Sequence, residues 1–179
     1  RVLFRSTFNR LYQAGFSPNL VERPRLEKHL QKALNDVVKM RGLITPASKE
    51  THIQKAIFEA IQTVSRNLVC MLELQINAYW ASRQGHFVML NAQTLRETQR
   101  MTQQTLLTIA HALYEGNPQP VRANTEKLNE IVVELRQLIK EHQDDNLSET
   151  PIHGYVWLTI ELARQLELLS HLICRALRK

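Results

Sequence analysis

The thirty residues from Thr51 to Trp80, THIQKAIFEAIQTVSRNLVCMLELQINAYW, contain neither Gly nor Pro. Apolar side chains recur at Ile53, Ile57, Ile61, Val64, Leu68, Leu72, Ile76 and Tyr79. Steps of three and four place those positions on one face of a helix. The pattern predicts one long central helix over about 50–82, a mast against which shorter helices pack.

The rest of the chain follows the same period. Val2 to Ala14 reads as a first helix, stopped by Gly15 and the Ser17-Pro18-Asn19 turn. Pro24 opens a second helix through Leu26, Leu30, Leu34, Val37 and Val38 to about Arg41, with Gly42 as its cap and Thr45-Pro46-Ala47-Ser48 as the break before the mast. Arg83-Gln84-Gly85 marks a turn or kink, and Phe87 to Tyr114 forms a fourth helix rich in Thr and Gln. Gly116 to Pro120 is the clearest interruption. A fifth helix then runs from Val121 to about His142 and a last one from Ile152 to about Leu177, its Tyr155, Leu162, Leu166, Leu169 and Ile173 in register. No strand alternation and no repeat interrupts this pattern. The expected fold is all-α, an up-and-down bundle of about six helices.

At 179 residues the chain is long enough to bury a real core, and 1–179 reads as a single domain. The formal net charge is +6, but acidic and basic residues are interleaved. The basic segment Arg23-Pro24-Arg25-Leu26-Glu27-Lys28-His29 is diluted by Glu22 and Glu27 and lacks aromatics, so no nucleic-acid partner is expected. Cys70 and Cys174 fall within apolar helical patterns, where reduced, buried thiols are expected. No stretch of about eighteen uninterrupted apolar residues occurs that would span a bilayer. The chain begins with Arg rather than Met, and an upstream segment is expected. Basic Arg1, Arg5 and Arg10 just after a membrane span would place the helical domain in the cytoplasm.

Signals of catalysis are missing: there is no Gly-rich phosphate loop, GxSxG elbow, HExxH helix or Cys-x-x-Cys pair. The chain reads as a non-enzyme without a cofactor. The sharpest metal candidate is Glu167, His171 and Cys174, spaced four and three along the last helix. Arg178 continues that stripe, and a cation beside a metal site opposes it, so an exposed polar stripe is the simpler reading. Trp80, Arg83 and His86, flanked by Tyr79 and Phe87, form a weak candidate ligand-binding cluster: aromatic faces beside Arg and His suit a small aromatic carboxylate. A helix junction filled by aromatics explains the same residues.

Three stretches carry a family resemblance. They are FNRLYQAGFSPNLVERPRLEKHLQKALNDVVKMRGLITPASKET (Phe8 to Thr51), IQTVSRNLVCMLELQINAYWASRQGHFVMLNAQ (Ile61 to Gln93), and YEGNPQPVRANTEKLN with the C-terminal ETPIHGYVWLTIELARQLELLSHLICRALRK. Together they resemble the C-terminal cytoplasmic region of bacterial inner-membrane proteins of the fusaric-acid-resistance (FUSC) class, relatives of aromatic carboxylic acid exporters. The resemblance implies a preceding half with transmembrane helices, a place on the cytoplasmic side of the inner membrane, and efflux of aromatic acids by the whole protein. It implies the membrane-embedded half and a second copy of the chain as partners. It carries no catalytic or binding residue onto this chain, and Arg1 to Ser6 lie outside it. The rival reading is a self-contained helical regulator or adaptor that binds a small ligand or a partner protein.

Overall fold

The computed structural model describes residues 3–8, 10–11, 23–81, 93–141 and 150–178. Among them are a short π-helical segment, Leu3–Phe8, and five α-helices: α1 (Arg23–Thr51), α2 (Lys55–Ala81), α3 (Gln93–Glu115), α4 (Gln119–Glu141) and α5 (Thr150–Ala176). The described residues contain no strand. The all-α bundle follows from the 3.6-residue period: Ile61, Val64, Leu68, Leu72, Ile76 and Tyr79 of α2 are buried together with Tyr155, Leu162, Leu166, Leu169 and Ile173 of α5. Among the described elements these two helices make the most extensive pairing. Outside α2 lies α1, while α3 and α4 pair with each other and both pack on α5.

Helix boundaries follow local chemistry. Gly116, at φ 71°, takes the left-handed position after α3, and its N–H donates to Ala112 O at 2.8 Å. Asn117 Oδ1 then accepts from the backbone N–H of Gln119 at 3.0 Å and starts α4. This is the interruption expected at Gly116 to Pro120.

The expected end of the second helix is corrected. Instead of stopping at Arg41, α1 runs through Gly42 and Pro46 to Thr51. Pro46 removes one intrahelical hydrogen bond, but Gly42, Thr45 and Pro46 are exposed, so the freed carbonyl lies on a solvent-facing stretch, in which Ile44 alone is buried. The real break is His52–Gln54, where His52 adopts φ 57°. Ser48 Oγ donates to Ile53 O at 2.7 Å and Thr51 Oγ1 to Ala47 O at 2.7 Å, closing the tip. The mast consequently begins at Lys55. A Cβ placed on Gly42 meets nothing within 4 Å. Gly42→Ala is therefore expected to stabilise the chain by about 0.5–1 kcal/mol in urea unfolding; a loss of stability would contradict the continuous helix.

The start of the fourth helix at Phe87 lies outside the described residues. So do the turn at Arg83-Gln84-Gly85, the loop at Ser17-Pro18-Asn19, and the part of the first helix beyond Leu11. The cysteines are corrected in part: both are free thiols, but Cys70 is exposed and only Cys174 is buried.

The core carries more polar groups than the apolar stripes imply. Thr98, Thr102 and Thr105 of α3, Asn124 and Thr125 of α4, and Gln75 of α2 are all buried. Several hydroxyls return to their own helix, as Thr105 Oγ1 does to Met101 O at 2.7 Å. Other groups join helices: Asn124 Nδ2 donates to Thr105 Oγ1, and Gln75 Nε2 donates to Thr159 Oγ1 at 2.7 Å.

Candidate functional site

Glu167, His171 and Cys174 do share one face of α5, but they make no metal centre. His171 Nε2 lies 3.7 Å from Glu167 Oε1, and Asn129 Nδ2 of α4 donates to that same oxygen at 3.3 Å. Cys174 turns inward and its Sγ donates to Pro118 O at 3.7 Å. Among the described residues no group of three His, Cys, Asp or Glu side chains is placed to hold a metal ion. The reading of an exposed polar stripe is corrected only at Cys174, which is buried, while His171 is exposed and Glu167 half-buried. Glu167, His171 and Cys174 form one wall of a groove of about 720 Å³ between α4 and α5, opposite Arg122, Thr125 and Asn129.

The aromatic candidate cannot be assembled from the described residues. Trp80 belongs to the last turn of α2 but its side chain lies outside them, as do Arg83 and His86 entirely. Its neighbour Tyr79 is buried and packs against Tyr155 of α5, ring centroids 6.2 Å apart at 43°. Gln99 Nε2 donates to the Tyr155 hydroxyl at 2.8 Å. Burial pushes the titration of both phenols upward, so neither ionises near neutral pH.

A second groove, of about 510 Å³, lies where α1, the start of α2 and the N-terminal segment meet. Phe4, Met40, Leu43 and Phe58 give it an apolar floor, with Lys32, Asp36 and Lys39 on its rim. Asp36 ties the N-terminal segment to α1, because its Oδ2 accepts from Thr7 Oγ1 at 2.8 Å and from Lys32 Nζ at 2.9 Å. The Lys32 hydrogen bond holds the Asp36 carboxyl below its ordinary range, against the opposing effect of burial.

Neither groove is legible in the sequence. Helical period assigns Arg122 and Glu167 to faces of their own helices, but it does not say that those two faces meet.

None of the described helices is long and apolar enough to cross a membrane. No family model matches the chain. No solved structure matches it either. Among curated proteins it is similar to "Inner membrane protein YeeA" of Escherichia coli (strain K12), with 73% identity over 172 residues, which is 96% of this chain and 49% of that protein. The chain thus spans about half the length of the curated relative it matches, a bacterial inner-membrane protein.

Proposed function

We propose that the chain is the helical cytoplasmic domain of an inner-membrane transporter of the fusaric-acid-resistance class, without catalysis of its own. In this reading the rest of the protein forms the membrane-embedded half and exports aromatic carboxylic acids or related compounds. The domain serves assembly and gating, by contact with that half and with a second copy. One observation carries the proposal: near-complete coverage at 73% identity to half of an inner-membrane protein, by a chain whose described helices do not cross a bilayer. The basic residues Arg1, Arg5 and Arg10 support the cytoplasmic side through the positive-inside rule. Trp157 and Leu168 support a contact role. They stand exposed about three turns apart on one side of α5, the helix that already holds α2, α3 and α4.

Deletion of the gene is expected to sensitise cells to at least one aromatic carboxylic acid, with tolerance restored by the intact gene on a plasmid. Growth inhibition across a panel of such acids measures this. Unchanged tolerance throughout the panel would contradict the transport reading.

A further inference from the structure

The groove between α4 and α5 is polarised along its length. At one end Glu167 is already engaged, accepting from Asn129 Nδ2 at 3.3 Å and facing His171 at 3.7 Å. At the other end Cys174 Sγ reaches Pro118 O, which fixes the antiparallel register of the two helices. Arg122 lies one turn along α4 from Pro118 towards Asn129, about level with Ser170 and His171, while Arg175 and Arg178 lie beside and just past Cys174 on α5; all three line the groove. Among the described residues none of these guanidiniums makes a salt bridge or side-chain hydrogen bond. Glu126 is the one other carboxylate on the groove wall, which leaves positive charge in excess.

Arg175 and Arg178 suit the C-terminal end of α5, where the helix dipole welcomes a cation. Arg122 does not have that explanation. It occupies the first turn of α4, where the same dipole disfavours a base. Glu126, one turn further on the same wall, and Glu167 set two carboxylates against the three arginines, so the lining keeps one positive charge in excess.

We propose that the groove binds a phosphoryl oxyanion between Arg122 on its α4 wall and Arg175 and Arg178 on its α5 side. A phosphoryl group offers several charged oxygens to guanidinium forks arriving from two helices, whereas a monocarboxylate engages a single fork. The volume of about 720 Å³ matches that of a small-molecule site. Its polar walls, Thr125, Asn129 and Ser170 among them, suit a polar organic phosphate or the phosphate headgroup of a lipid. The site is independent of what the whole protein transports.

The chain carries its own continuous core, so it can be purified and tested as it stands. Calorimetric titration with inorganic pyrophosphate, with ionic strength balanced by NaCl, tests the soluble source. Flotation with phosphatidylglycerol vesicles, against phosphatidylcholine, tests the headgroup. Saturable binding is expected in at least one arm, weakening as salt rises. Arg122→Gln combined with Arg178→Gln is expected to weaken it by about tenfold or more. Lys127→Gln, an exposed base of α4 outside the groove, should leave it unchanged. Binding of pyrophosphate alone assigns the site to soluble phosphates, and binding of anionic vesicles alone assigns it to lipid. Should the double variant melt early, Arg122→Lys, which keeps the charge and loses the fork, provides the same comparison. The proposal is overturned by no saturable binding in either arm, or by binding that the arginine variants retain in full.

Discussion

Leu166→Ala is expected to destabilise the bundle by about 2–5 kcal/mol. Leu166 is 0% exposed, midway along α5, the helix that packs on α2, α3 and α4. Truncation removes apolar surface that had been withdrawn from water and leaves a cavity that three neighbouring helices can only partly close. In a chain of this size each kcal/mol lowers the melting temperature by about 2–4 °C, so the loss is easily read in a thermal scan. Leu168, two residues away and 46% exposed, is the control, and its replacement by Ala should cost less than about 0.5 kcal/mol. Equal losses at the two positions would contradict the placement of the α5 face.

The second large effect is polar. Gln75 Nε2 donates to Thr159 Oγ1 at 2.7 Å, and Thr159 Oγ1 donates in turn to Tyr155 O at 2.8 Å. Both side chains are buried between α2 and α5. Thr159→Val keeps the shape and deletes the acceptor, stranding a buried amide, and is expected to cost about 1–3 kcal/mol. Gln75→Met removes the amide itself and fills its volume with an apolar chain, so it should be nearly neutral. The double variant should therefore recover most of what Thr159→Val loses. Urea unfolding of the four proteins in the cycle measures this. A neutral Thr159→Val would contradict the bond, because the amide would then have to be satisfied elsewhere.

These two predictions also mark how far the sequence reaches. Leu166 is legible: it falls on the apolar stripe of the last helix, and the stripe is the buried face. Gln75 and Thr159 are not, because a polar residue beside a stripe reads as solvated until a partner from another helix is known. The end of α1 is misplaced by the sequence for a related reason. Gly42 and Pro46 are the residues that usually stop a helix, yet here both are exposed, where a missing side chain or a lost hydrogen bond costs little, and the helix runs past them. The true stop uses His52 in a left-handed conformation, a position at which Gly or Asn would have announced itself. The α4–α5 groove depends on which faces meet, and periodicity alone leaves that open. Its three arginines sit far apart in the sequence, with Arg122 separated from Arg175 and Arg178 by most of α4 and nearly all of α5.

The central claim is that this domain works as part of a larger inner-membrane protein. Fractionation of the source cells, probed with an antibody raised against the chain, tests it most directly. The account predicts a band about twice the 20.8 kDa of this chain, retained in the inner-membrane fraction after alkaline washing. A band near 20.8 kDa in the soluble fraction would contradict it, and would favour a free helical regulator or adaptor.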